Sequence, residues 1–217
     1  MHSHRIPIAR EGTPFIGGAV LAAVVFASLN WSVTAIVFFV IAGFVLFFFR
    51  DPERIIPSGP GLVVSPADGR VIDVAEDDRD SLGEKDVRRI SIFMSIFNVH
   101  VNRVPITGQV RQISYRPGSF WPADRKRALL ENERNAILIC GEDGIKLTVV
   151  QVAGIIARRI SCWVKAGDNV KIGERFGLIR FGSRLDVYVP KTVSVLVKKG
   201  DRTRAGQTVL ARNGSKQ

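Results

Sequence analysis

The sequence predicts a mainly β domain of α+β class behind an N-terminal helical hairpin that lies in a membrane. Three observations carry this prediction. Residues 15–49 contain no charged side chain. From residue 62 onward, short runs rich in β-branched residues alternate with Gly and Pro. The 217-residue length leaves room for one ordinary domain plus an appendage.

Residues 1–14 form a basic N-terminus that carries Arg5 and Arg10. The uncharged run from Phe15 to Phe49 divides at Asn30-Trp31-Ser32. As one helix it would be roughly 50 Å long, too long for a bilayer core. As two helices each would run about 22–26 Å, slightly short of a full span. A tight hairpin dipping into or across the membrane, with the polar break at its turn, fits best. Arg5 and Arg10 before it and Arg50 and Arg54 after it favour both ends staying on the cytoplasmic side of the cell membrane. A cleaved signal is excluded because the apolar run is too long and Arg50-Asp-Pro-Glu is no small-residue cleavage site.

Residues 50–61 read as a linker, punctuated by Pro52, Pro57, Gly59, Pro60 and Gly61. The domain proper is expected over 62–217. Its strand candidates are LVVS, GRVIDVAE, RRISIFMSI, HVNRVPITGQVRQISY, NAILIC, IKLTVVQVAG, RFGLIRF, LDVYVP and TVSVLVKKG, several alternating with a period of two. The stretch Ala123–Asn132 reads as a short helix or an irregular loop. Lys165–Gly173 (KAGDNVKIG) repeats as Lys198–Gly206 (KKGDRTRAG), with Gly-Asp and a second Gly at the same offsets. Such β-turn-β units resemble the half-motifs of lipoyl- and biotinyl-type β-sandwiches, so an element of that kind is part of the predicted fold. Gly supplies positive φ at these turns and Asp bonds the turn backbone.

The formal net charge of +11, from 31 Lys+Arg against 20 Asp+Glu, points to an anionic partner. A nucleic-acid partner is not expected, because no binding motif is present and the aromatic residues concentrate in the N-terminal apolar run. The C-terminal stretch from Arg184 holds eight Lys+Arg against Asp186 and Asp201. Such a cluster suits an anionic bilayer surface, gaining about 1 kcal/mol per charge, or is simply a solvated tail. Cys140 and Cys162 are too few for a disulfide framework and match no metal motif. The Asn-x-Ser matches at Asn30 and Asn213 fall in the apolar run and the tail and are treated as chance.

Three segments hold candidate chemistry. Asp68 in Ser65-Pro-Ala-Asp-Gly69 stands just before a strand, as a turn acid or an active-site carboxylate. His100 in Phe97–Pro105 is the one histidine of the domain, either structural or an acid–base group, since its ordinary pKa lies near neutrality. In Arg180–Pro190, the pair Gly182-Ser183 interrupts two apolar runs, where it weakens a sheet without evident structural reason.

Together these segments resemble the short-form phosphatidylserine decarboxylases over nearly the whole chain. The resemblance is carried by RDPxR at Arg50–Arg54, SPADGxV at Ser65–Val71, FNVHVNRxP at Phe97–Pro105 and YxPGxF at Tyr115–Phe120. It continues through NERN at Asn132–Asn135, QVAGxxARRI at Gln151–Ile160 and RFGSRxDVYxP at Arg180–Pro190. It implies a proenzyme in which the Ser183 hydroxyl attacks the Gly182 carbonyl and exchanges an amide for an ester. Elimination and loss of ammonia then leave a pyruvoyl group, the covalent cofactor, at the new N-terminus. The products are a β chain, 1–182, and an α chain, 183–217, which stay associated. The resemblance further implies that His100, held by Asp68, is the base, and that His100 later protonates the product. No metal or diffusible cofactor is implied.

The expected substrate is phosphatidylserine, giving phosphatidylethanolamine. The alternatives are another serine phospholipid of the archaetidylserine kind, or a non-enzymatic membrane-anchored adaptor; homo-oligomerisation is left open. Two departures stand out. Many relatives have Leu-Gly-Ser-Thr where this chain has Phe181-Gly182-Ser183-Arg184, and many have a second histidine where this chain has Arg103. Arg103 is expected either to bind the substrate's carboxylate or phosphate or to form a structural salt bridge.

Overall fold

The uncharged run with one polar break forms two helices, α1 (Thr13–Ser28) and α2 (Ser32–Phe48). The structure is a computed structural model that describes residues 7–123, 131–154, 159–180 and 182–214. Arg5, most of the stretch 123–132, and Phe181 of the Gly-Ser motif lie outside these residues. The chain divides into two units, Met1–Glu53 and Arg54–Gln217.

In the first unit Leu29, Asn30 and Trp31 connect the helices. Asn30 adopts φ +61°, a left-handed conformation that Asn tolerates better than most residues. The helices touch through stacked Phe26 and Phe38, 5.3 Å between centroids. The two ends of the unit are clasped: the Ala9 N–H donates to Phe49 O at 2.8 Å, and the Asp51 N–H to Pro7 O at 2.7 Å. Most large side chains of both helices point outward, Val33 being 78% and Phe39 74% exposed. The helical stretch Arg10–Ser28 is long and apolar enough to cross a membrane; α2 is shorter.

The second unit is mainly β. Its largest sheet is antiparallel throughout, in the order β13 (Arg202–Thr203), β2 (Gly69–Arg79), β3 (Lys85–Met94), β11 (Ser183–Pro190), β7 (Lys146–Val152), β6 (Arg134–Gly141), β5 (Gly108–Arg116) and β9 (Asn169–Val170). Alternation decides the faces. Ile90 and Ile92 of β3, Leu185 and Val187 of β11, and Leu147 and Val149 of β7 turn into the main core. Arg184, Asp186 and Tyr188 occupy the opposite face of β11 and are also buried. Arg184 and Asp186 form a two-pronged ion pair there, at 2.8 and 2.7 Å. Burial first, and the Asp186 charge next, push the Tyr188 phenol above the ordinary tyrosine range.

Two three-stranded sheets complete the unit: β1 (Leu62–Val64), β14 (Val209–Arg212) and β12 (Ser194–Val195), then β4 (Val101–Arg103), β10 (Arg175–Ile179) and β8 (Ile160–Cys162). These sheets and the two ends of the large sheet repeat one arrangement. Gly200 N–H donates to Val71 O at 2.8 Å, as Gly167 N–H does to Val110 O at 2.7 Å. The Asp201 and Asp168 carbonyls accept the N–H groups of Val71 and Val110, both at 2.9 Å. Gly206 N–H meets Ser65 O at 2.7 Å, as Gly173 N–H meets Val104 O at 2.8 Å. The repeat noticed at 165–173 and 198–206 therefore extends to a second pair of segments, 61–71 and 100–110. The run HVNRVPITGQVRQISY, read as one strand, divides between β4 and β5, because the turn holds Pro105, which has no N–H to give a ladder.

Candidate active site

The chain passes from the small sheet to the large one between β10 and β11, and the Gly182–Ser183 bond lies at that crossing. Gly182 has φ +62°, with open space where a side chain would stand. Its own backbone conformation demands glycine, not crowding. Ser183 opens β11 opposite Met94, fully buried and on the core side with Leu185 and Val187. Among the described residues its hydroxyl has no hydrogen-bond partner. A buried unsatisfied hydroxyl costs about 1–3 kcal/mol, so its retention calls for a chemical reason.

A second crossing runs beside the first. Met94 ends β3 in register with Ser183, and the chain then turns through 95–99 to His100 before β4. The turn is fixed by Asn98, whose Oδ1 accepts the Ser95 N–H at 2.9 Å and the Ser95 hydroxyl at 2.8 Å. His100 is fully buried, and its carbonyl accepts the Ile179 N–H at 3.4 Å. The fold thus flanks the segment leading into Ser183 with Met94 at one end and His100 at the other. The His100 Nδ1 lies 2.9 Å from the Asn98 carbonyl, which can only accept. In the neutral ring Nδ1 therefore carries the proton and Nε2 is the basic nitrogen.

Asp68 is also buried, but its partners differ from those the resemblance implied. One oxygen accepts the Ala205 N–H at 2.7 Å and the other takes Arg54 Nη2 at 2.9 Å. Among the described residues none of its hydrogen bonds goes to His100. The reason is local: Asp68 closes a turn whose open backbone donor is Ala205, and Arg54 of the RDPxR motif fills the remaining side. Arg103 is buried, and its Nη1 donates to the Gly173 carbonyl at 2.9 Å. Its stem passes beside Gly206, so it stands at the junction of the two repeat turns.

Two groups of residues beside Ser183 carried no role in the sequence. One is a chain of buried amides: Asn135 Nδ2 donates to Gln151 Oε1 at 3.0 Å, and Gln151 Nε2 donates to Asn102 Oδ1 at 2.9 Å. Asn102 Nδ2 in turn faces the Met94 sulfur at 3.8 Å. This chain ties β6 and β7 to β4, two residues from His100. The other is Gly154, next to the Gly182 carbonyl, with Asn132 bonded to the preceding Ala153. Their only signal was membership of the NERN and QVAG motifs. Among the described residues no three His, Cys, Asp or Glu side chains gather closely enough to hold a metal ion.

Residues 41–211 match the family described as phosphatidylserine decarboxylase. Several relatives bear the name phosphatidylserine decarboxylase proenzyme. That of Geotalea uraniireducens is 51% identical over 210 residues, covering 97% of this chain and 98% of the relative. That of Geobacter metallireducens is 50% identical over 215 residues, with coverage of 97% and 98%. That of Desulfotalea psychrophila is 46% identical over 206 residues, with coverage of 95% and 96%.

Proposed function

This chain belongs to the phosphatidylserine decarboxylase family, and from that premise we propose that it is a membrane-anchored proenzyme that cuts itself between Gly182 and Ser183. The cut chain then converts phosphatidylserine to phosphatidylethanolamine. The observation that carries the reading is the buried Ser183 hydroxyl, without a partner among the described residues, beside a glycine held at positive φ. That arrangement suits a nucleophile next to an uncrowded carbonyl.

His100 acts as the base for the first step: its Nε2 takes the hydroxyl proton as Ser183 Oγ bonds to the Gly182 carbon. The proton passes to the Ser183 nitrogen as the amide breaks, leaving an ester. Loss of the Ser183 α-proton expels the Gly182 carboxylate, and water then releases ammonia to leave the pyruvoyl group. That group supplies a carbonyl that condenses with the substrate amine and draws off the electrons freed when carbon dioxide departs. His100 returns a proton to the product. Asp68 lends its charge to the site through the turn it closes, and its bond to Arg54 is part of that setting. Arg103 Nη1 is held by the Gly173 carbonyl, so a substrate carboxylate or phosphate would be met by other N–H groups of its guanidinium.

Ser183 is fully buried in the uncut chain. The cut therefore also has to open a path for a lipid headgroup, which freeing the Gly182 end can do. The α chain, 183–217, stays with the β chain, 1–182, because β11 is central in the large sheet between β3 and β7. The paired repeats serve as the lipoyl- and biotinyl-like sandwich element of the domain. The outward apolar side chains and clasped ends of α1 and α2 support a membrane hairpin with both ends on the cytoplasmic face.

Intact mass measurement of the wild type beside Ser183→Ala tests the reading. The expected wild type gives two fragments meeting at Gly182/Ser183, the smaller bearing a ketone in place of an amine, and it forms phosphatidylethanolamine. Ser183→Ala should stay whole and inactive. A wild type that stays whole in membrane or detergent, with no lipid product, overturns it.

A further inference from the structure

Glycine is required at Gly182 and Gly154 for opposite reasons. Gly182 needs it for its own φ, with free space around it. Gly154 has no positive φ, yet a Cβ placed on it would run into the Gly182 carbonyl oxygen and stand 2.9 Å from the Gly182 carbonyl carbon. The demand at Gly154 is thus set entirely by the group lying against it, the carbonyl of the proposed scissile bond.

The wall that bears Gly154 is pinned. The Asn132 side chain, 1% exposed, donates from Nδ2 to Ala153 O and to Trp121 O, both at 2.7 Å. Its Oδ1 accepts the Trp121 N–H at 2.8 Å. The Ala153 N–H donates to Glu133 O at 3.0 Å. One amide therefore uses three hydrogen bonds to lock the end of β7 to the Trp121 segment. The Ala123 methyl lies near the same place, 3.5 Å from the Gly154 Cβ position.

We propose that Gly154 and Asn132 are positioning residues for self-cleavage, forming a slot that receives the Gly182 carbonyl oxygen. The inference rests on the self-cleaving reading above. With its oxygen held in the slot, the carbonyl cannot rotate, and its carbon stays presented to the adjacent Ser183 hydroxyl. The step served is the amide-to-ester exchange: the bond from Ser183 Oγ to the Gly182 carbon forms, the bond to the Ser183 nitrogen breaks, and one proton moves from that oxygen to that nitrogen. No oxidant, reductant or second substrate enters. Misplacing a reacting atom by about 1 Å can cost 10²-fold in rate, and a methyl at Gly154 forces a shift of that order.

Full-length Gly154→Ala and Asn132→Asp, purified in detergent beside the wild type, test this. Asn132→Asp adds no bulk, keeps the acceptor for Trp121 and loses both donated bonds. Cleavage is followed by mass over time, folding by thermal unfolding, and ester content by hydroxylamine, which cuts esters far faster than amides. The expected result is folded Gly154→Ala that cuts about 10²-fold more slowly and gives no hydroxylamine fragments. Asn132→Asp should slow cutting in the same hydroxylamine-resistant manner. Gly154→Ala cutting at the wild-type rate overturns the proposal, as does an uncut variant that hydroxylamine divides at Gly182, since the ester then forms without the slot. If Gly154→Ala fails to fold, a folded Asn132→Asp that cuts normally overturns it alone. A wild type that never cuts would instead bring down the self-cleaving reading itself.

Discussion

The two copies of the repeated arrangement share a backbone and differ in what they bury. At 61–71 the chain runs Gly61, Leu62, Val63, Val64 and on to Asp68; at 100–110 it runs His100, Val101, Asn102, Arg103 and on to Thr107. The turn residue does the same work in both. Asp68 accepts the Ala205 N–H at 2.7 Å, and the Thr107 hydroxyl accepts the Ile172 N–H at 3.1 Å. A neutral hydroxyl thus suffices to close the turn, and the charge on Asp68, which Arg54 pairs at 2.9 Å, goes beyond what that turn bond needs. In the same way His100, Asn102 and Arg103 stand where the other copy has glycine and valines. The small sheet survives either choice, so these polar groups are present for something other than the sheet. Burying them is costly without partners, and the copy that carries them leads through β10 directly into Gly182–Ser183.

The sharpest way to break this comparison is to exchange the turn residues' chemistry. Asp68→Asn keeps an acceptor for Ala205 and loses the charge together with its ion pair to Arg54; Thr107→Val loses the turn bond in the other copy. Asp68→Asn is expected to slow self-cleavage by about 10²-fold, in the range of a lost acid–base or charge-stabilising group. Thr107→Val is expected to cost about 1 kcal/mol of stability and leave cleavage unchanged. Time courses of cutting beside thermal unfolding decide between them. Equal cleavage by both variants would reduce Asp68 to the turn acid its counterpart suggests.

The next effect falls on stability. Asn102→Val installs the residue that Val63 represents in the other copy, and strips Gln151 Nε2 of its acceptor inside the core. The expected cost is about 1–3 kcal/mol for the stranded amide. Adding Gln151→Leu and Asn135→Leu, which remove the rest of the chain of amides, should recover part of that loss, because an apolar pair of similar shape strands no donor. Denaturant unfolding of the single and triple variants measures both. A triple variant less stable than the single one by the full sum of three separate losses would mean that the amides do not act as one chain.

Half of the repeat was legible in the sequence because its Gly-Asp turns have a local cause: positive φ at Gly167 and Gly200, and an Asp folded back on the backbone. The other half kept only a proline, a glycine and a valine in step, too little to see. The apolar helices were legible from missing charge alone. Gly182, Ser183, His100 and Asp68 are singled out by their motifs alone, while the bond implied between Asp68 and His100 is absent among the described residues, because Arg54 and Ala205 take the carboxylate. Gly154 went unnoticed for a physical reason. Nothing in its own backbone asks for glycine; the demand comes from a carbonyl brought alongside by the fold. The amide chain was hidden likewise, its members lying on three different strands.

The smallest effect concerns what the copies share. Lys165 N–H donates to Asp168 Oδ2 at 2.8 Å, and Lys198 N–H to Asp201 Oδ2 at 2.9 Å. Both bonds close the same turn at the rim of the unit, far along the chain from the residues that distinguish the copies. Asp168→Ala and Asp201→Ala should each cost about 0.5–1.5 kcal/mol, nearly the same in both, with unchanged cleavage at Gly182. Thermal unfolding of the two variants side by side is the check. Matching losses would show that the copies are equal as scaffolding, which is the condition for assigning their differences to chemistry. A loss of cleavage in Asp201→Ala alone would show instead that the first copy's turn sets the position of Ala205 and hence of the Asp68 charge, so that scaffold and site are not separable there.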